Sequence, residues 1–144
     1  MRIQALVPAL LLTLLTGSAP AQDKDKAIAG RQTAFLKAVK GEKIKEAYED
    51  LLEGSLILEK KGDVENLVKQ TEKAVALYGD VTSVEDFGVV KQDKHLASGL
   101  AMVCCEKAPL FFYFIWYRNK PDAPWRLHNV WFDDNSKAFL EHRK

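Results

Sequence analysis

The stretch from residue 96 to residue 134 most constrains the fold, because three apolar runs follow one another with only short breaks between them. The runs are rich in aromatic and β-branched residues, which fit a pleated, half-buried surface and are typical of strands. The breaks at residues 106–109 and 119–124 carry turn-forming Pro, Asn and Asp. Both are shorter than the dozen or so residues that a parallel crossover needs, so the stretch predicts an antiparallel meander.

The strand over residues 110–117 is unusual, because both of its faces are apolar. One alternating set is Leu110, Phe112, Phe114 and Trp116, and the other is Phe111, Tyr113, Ile115 and Tyr117. A strand with one wet face alternates apolar and polar residues, so both faces should be covered. Helices can cover one face. The other face needs a partner subunit, a ligand or a sheet that curls on itself.

Helical patterns dominate the chain before this sheet. Apolar residues at helical spacing predict helices over residues 23–40, 42–52 and 63–78, with Asp63 as the cap of the third helix and Gly79 at its end. Residues 55–61 fit a short strand, an extended connector or a helical turn. A first strand is predicted over residues 81–92, with a bulge or bend at Gly88, and a last helix over residues 136–142. This order predicts an α+β fold with the helices on one face of a four-stranded antiparallel sheet.

Residues 1–21 have the pattern of a secretory signal. They contain one basic residue, Arg2, then a short apolar run and the small-residue ending Ala19-Pro20-Ala21, which predicts cleavage before Gln22. The apolar run is shorter than the roughly 20 residues that span a bilayer. We therefore expect an exported protein, periplasmic or extracellular, with one domain over residues 22–144 and no membrane contact after cleavage.

The charges of the chain are balanced, with 21 Lys and Arg residues against 20 Asp and Glu residues. This balance gives no electrostatic reason to expect nucleic acid or an anionic membrane as a partner. The two cysteines, Cys104 and Cys105, are adjacent in a predicted strand. Their side chains should point to opposite faces, and we predict that they are not bonded to each other.

The residues that could perform acid–base chemistry are scattered. They are Tyr48, Tyr78, Glu85, His128 and Asp133, and none has a recognisable catalytic spacing. The sequence also has no Gly-rich phosphate loop, no nucleophile elbow and no paired His or Cys metal motif. We therefore predict no catalytic residue, no metal site and no cofactor.

The order of the predicted elements resembles the NTF2-like, or cystatin-like, superfamily. The resemblance covers about residues 27–139. Its most specific part comprises Tyr78-Gly79, Glu85, Pro109-Leu110-Phe111, Tyr117, Trp125-Arg126-Leu127, Asn129 and Phe132-Asp133-Asp134-Asn135. This pattern is similar to a group of small secreted bacterial NTF2-like proteins of unassigned function. The resemblance implies three N-terminal helices packed on a curved four-stranded sheet that forms a cone.

The superfamily includes isomerases, cyclases, dehydratases and non-catalytic binding domains, so the fold alone does not give the activity. We expect an exported, non-catalytic binding or protein-interaction module. The alternative is a small lyase or isomerase that acts on a hydrophobic carbonyl compound inside the cone. A cone filled by its own Trp and Phe side chains favours the module. An apolar pocket with a carboxylate or His near a Tyr favours the enzyme.

Two sets of residues are the candidate sites. A small apolar ligand in the cone interior would contact Tyr48, Tyr78, Trp116 and His128. A protein partner would contact the outward set of the two-faced strand, for which we favour Phe111, Tyr113, Ile115 and Tyr117, because tyrosine hydroxyls tolerate partial wetting. A contact between sheet faces is self-complementary about a two-fold axis, so a homodimer is the simplest expected assembly.

Overall fold

The structure is a computed structural model that describes the backbone of residues 19–144 and the side chains from residue 24 onward. Apart from its last three residues, the predicted signal segment lies outside the described residues. The helical part comprises α1 (Ala19–Lys40), α2 (Ile44–Leu51), a 3₁₀ turn (Leu56–Glu59) and α3 (Lys61–Tyr78). The remaining elements are β1 (Val81–Lys91), β2 (Leu96–Cys105), β3 (Pro109–Tyr117), β4 (Arg126–Asp133) and α4 (Ser136–His142). The predicted α+β class is confirmed.

The four strands form one antiparallel sheet in the order β1-β2-β3-β4. The predicted irregularity at Gly88 is confirmed. The register of β1 against β2 shifts between Asp86 and Val89, and Gly88 has a φ of 82°, which residues other than glycine rarely adopt. Another shift interrupts the pairing of β3 with β4: Ile115 pairs with Asn129 and Trp116 pairs with Leu127, which leaves His128 as the extra residue of β4.

The ends of α3 and of the 3₁₀ turn test three of the predictions made from the sequence. Gly79, with a φ of 90°, ends α3 as predicted, and its N–H donates to the carbonyl of Val75 at 2.9 Å. The predicted cap at Asp63 is wrong, because α3 begins at Lys61 without a side-chain cap. Ser55 resolves the open choice for residues 55–61: its Oγ accepts the N–H of Ile57 at 3.2 Å, and this capping bond favours a helical turn.

The main core lies between the sheet and helices α1, α2 and α3. One face of β3 supplies Leu110, Phe112, Phe114 and Trp116, and each is at most 1% exposed. Phe35 of α1 packs against this face. Its ring makes edge-to-face contacts at centroid distances of 5.5 Å to Phe112 and 5.6 Å to Phe114. The expectation that helices cover one apolar face of β3 is therefore confirmed.

The opposite face of the sheet is also partly covered, and a helix covers it. Phe139 of α4 stacks on Phe111 at 4.3 Å and lies 5.2 Å from Phe87 of β1, in a second apolar cluster that also includes Tyr113. The expectation that the helices lie on one face only is therefore wrong. The last helix returns across the outer face and buries the half of β3 that begins at Phe111.

Candidate functional site

Two of the four residues predicted to line the interior do lie there, but they are packed into it. Trp116 and Tyr48 are fully buried. The Tyr48 hydroxyl is 2.8 Å from Oγ1 of Thr71, and burial raises the pKa of Tyr48 to about 12. A tyrosine in this environment keeps its proton at neutral pH, so it acts here as a hydrogen-bonding core residue.

Of the other two predicted interior residues, Tyr78 packs at the edge of the main core, whereas His128 lies outside it, which corrects the prediction for His128. Tyr78 is half-buried at the end of α3, where its hydroxyl donates to Oδ2 of Asp134 at 2.6 Å, and this bond raises the pKa of Tyr78. His128 is exposed. The register shift after Ile115 places Leu127 opposite Trp116 on the inner face and leaves His128 pointing outward, 6.1 Å from the ring of Tyr117.

The four residues predicted as an interface share the outer face but differ in burial. Phe111 and Tyr113 are each 3% exposed beside α4, whereas Ile115 is half-buried and Tyr117 is 44% exposed. Burial and the nearby Asp133 carboxylate raise the pKa of Tyr113. The accessible part of the predicted interface is therefore the end of β3 that α4 does not reach.

Neighbouring strands extend this accessible part. Leu96 pairs with Tyr117 and is 38% exposed, and Trp131 stacks flat on Tyr113 at 5.0 Å while remaining 37% exposed. We call Leu96, Ile115, Tyr117 and Trp131 the outer apolar strip. A shallow cavity of about 80 Å³ lies between the strip and α4, with Tyr113, Trp131 and His142 among its lining residues. The alternation of the sequence predicted the β3 residues of the strip, Ile115 and Tyr117, but it did not show that α4 covers the other half of that face.

A larger cavity of about 220 Å³ lies at the end of the sheet, where β3 stops and β4 begins. We call it the end cavity. It is bounded by Ser55 and Leu56 beside the 3₁₀ turn, and on the other side by the connection between β3 and β4. His128 and Tyr117, predicted for two different sites, both line it. Arg126 also lines it, although the sequence offered no reason to place Arg126 at a site.

Cys104 and Cys105 are free, so the prediction that they are not bonded is confirmed. Cys105 packs against the main core, and burial raises the pKa of its thiol. Among the residues that the structure describes, no helix is both long and apolar enough to cross a membrane, and no three His, Cys, Asp or Glu side chains cluster as a metal site would require.

Comparison of the chain with protein-family models, with curated proteins and with solved structures found no match.

Proposed function

We propose that this chain is an exported, non-catalytic binding module with an NTF2-like fold, and that it contacts another protein through the outer apolar strip. The observation that carries the proposal is the filling of the interior by aromatic side chains of the chain itself. Phe35, Phe112, Phe114 and Trp116 are each at most 2% exposed and occupy the space between helices and sheet where a cone would hold a substrate.

The titratable residues predicted for the interior are also poorly placed for proton-transfer chemistry. A general base must reach the proton that it removes, and its pKa must suit the task. The interior Tyr48 is bonded to Thr71 and holds its proton up to a pKa of about 12, and the candidate base His128 points outward. These positions support a scaffold rather than a lyase or isomerase.

The outer apolar strip supports a protein partner. Its large aromatics, Tyr117 and Trp131, remain more than a third exposed although they sit on an ordered sheet. Tyr and Trp are enriched in protein interfaces, where one end of the ring can stay hydrated. The partner that requires the fewest assumptions is a second copy of the chain, because a strip on a sheet face can meet itself about a two-fold axis.

Sedimentation equilibrium at micromolar concentration tests this proposal. We expect a dimer that Trp131→Lys dissociates, because a charge at this position would have to be desolvated in the contact. Leu77→Lys is the matched control, since Leu77 is a large exposed apolar residue on α3, away from the strip. Circular dichroism checks that both variants fold. A wild-type monomer that also recovers no partner from the exported fraction would contradict the proposal.

A further inference from the structure

The end cavity combines an apolar floor with positive charge. Leu127, at 1% exposure, and Pro124 belong to its apolar lining. Among the described residues that line it, the basic ones are Arg118, Arg126 and His128, and none is a carboxylate. The chain as a whole has nearly equal numbers of acidic and basic residues, so the cavity has a local excess of positive charge. This excess favours an anionic ligand over a cation.

The two arginines of the end cavity have different surroundings. Arg118 is 4% exposed, and its guanidinium lies 4.1 Å from the centre of the Trp125 ring while its Nε donates to the carbonyl of Lys94 at 2.7 Å. Asp25 Oδ1 is 3.6 Å from Nη1 of Arg118 and partly balances its charge. Arg118 is therefore part of the wall and contributes little free charge.

Arg126 is exposed, and it forms no side-chain hydrogen bond or ion pair with the described residues. A guanidinium offers a planar fork of donors that matches a carboxylate, and Arg–carboxylate pairs are often bidentate. Arg126 thus has donors available at a cavity whose floor is apolar. His128 follows it by two residues on the same strand and also lines the cavity.

Both walls of the end cavity are fixed by hydrogen bonds. On one side, the Ser55 Oγ donates to the carbonyl of Leu127 at 2.6 Å, which holds the chain before the 3₁₀ turn against β4. On the other side, the backbone N–H of Arg118 donates to the carbonyl of His95 at 3.0 Å. A site that is already formed loses little conformational entropy when a ligand binds, and this favours affinity for small molecules.

We propose that the end cavity binds a small aromatic carboxylate, with the carboxylate on Arg126 and the ring on the apolar floor beside Tyr117. The volume of about 220 Å³ fits this class, because a cavity of about 150 Å³ accepts benzene and the remainder leaves room for one polar group. The site shares only Tyr117 with the outer apolar strip, so it can exist whether or not the strip binds a protein.

Benzoate is the probe, and benzamide is the matched neutral probe of the same shape. Titration of the full mature chain, followed by amide chemical shifts, should give saturable shifts centred on Asn119, Arg126 and His128. Benzoate should bind at least about tenfold more tightly than benzamide, because the pairing with Arg126 is a charge-assisted hydrogen bond.

Variants of the chain complete the test. Arg126→Gln should weaken benzoate binding by about tenfold or more, whereas Arg143→Gln should leave it unchanged, since Arg143 lies over Phe87 of β1 and does not line the end cavity. Leu56→Trp, at a 70% exposed position of the lining, should block the cavity without disturbing the core. Equal binding of benzoate and benzamide, full binding by Arg126→Gln, or equally tight binding of inorganic phosphate would each overturn the proposal. Trp131→Lys alters the outer apolar strip but not the end cavity, so it should still bind benzoate. Its benzoate binding therefore distinguishes a failure of the end-cavity proposal from a failure of the strip proposal.

Discussion

Gly99 of β2 and Gln32 of α1 lie close together on the inner face of the sheet. Gln32 is fully buried, and its Nε2 donates to Oδ1 of Asp86 at 2.7 Å and to the carbonyls of Gly88 at 3.2 Å and Leu100 at 3.3 Å. A Cβ added at Gly99 would collide with Oε1 of Gln32 and lie 2.9 Å from its Cδ. The space at position 99 is therefore limited by the Gln32 side chain and not by the backbone, since no positive φ is involved.

We expect Gly99→Ala to lower the free energy of unfolding by about 1–3 kcal/mol, the usual cost of overpacking a core. Gly30→Ala is the control, because a Cβ there meets nothing within 4 Å and alanine favours the helix. Urea unfolding measures both. Equal stability of the two variants would show that Gln32 moves aside without cost.

The sequence predicted positions that depend on neighbours along the chain and missed those that depend on distant contacts. The bulge at Gly88 and the end of α3 at Gly79 have local signals in their glycines. The contact between Gln32 and Gly99 has none, because α1 and β2 meet only in the folded chain. His128 was misplaced for a related reason: a one-residue shift of register turns a side chain to the other face, and the alternation of β4 alone does not reveal it.

At the scale of elements, the position of α4 decides what the outer face can do. The sequence predicted this helix with its bounds, but seven residues carry too little pattern to show which surface they cover. Asn135 caps the helix, since its Oδ1 accepts the N–H of Ala138 at 3.1 Å, and Phe139 is its one buried residue. Phe139 is thus the buried apolar anchor of α4 on the sheet, and the ring of His142 adds an edge contact with Tyr113 at 5.3 Å.

Phe139→Ala should therefore release α4 from the sheet. The variant should lose up to about 3–5 kcal/mol of stability, the usual cost of truncating a buried phenylalanine, and should expose Phe111 and Tyr113. Urea unfolding and binding of a hydrophobic dye measure the two effects. Leu140→Ala, at a 59% exposed position of the same helix, controls for helix propensity. Unchanged dye binding by Phe139→Ala would mean that α4 stays docked without its anchor.

At the scale of the whole molecule, Asp25 joins α1 to the end of the sheet that carries the end cavity. Its Oδ1 accepts the indole N–H of Trp125 at 2.8 Å, and its Oδ2 is 3.1 Å from Nζ of Lys91. Burial opposes ionisation of this carboxyl. The Trp125 hydrogen bond and the Lys91 and Arg118 cations outweigh burial, and they hold the pKa of Asp25 below its ordinary value of 3.8.

This lowered pKa predicts how stability depends on pH. A carboxyl whose pKa is lower in the folded state stabilises the fold above its unfolded value of 3.8, and the contribution is lost as the pH falls through the lower, folded value. Asp25→Asn keeps an acceptor for Trp125 but carries no charge. At pH 7 it should therefore be less stable than the wild type by about 1 kcal/mol, a value kept small because the carboxylate is partly exposed.

Thermal unfolding between pH 7 and pH 2 measures the difference. The difference in stability between the wild type and Asp25→Asn should be constant from pH 7 to about pH 5. It should disappear as the carboxyl protonates below its ordinary pKa of 3.8. Asp80→Asn is the control, because the Asp80 side chain is exposed and makes no hydrogen bond or ion pair with the described residues. Parallel curves for the wild type and Asp25→Asn down to pH 2 would show that the charge of Asp25 does not hold α1 to the sheet. In that case the packing of Trp125, which is 4% exposed, would be sufficient to fix this end of the molecule.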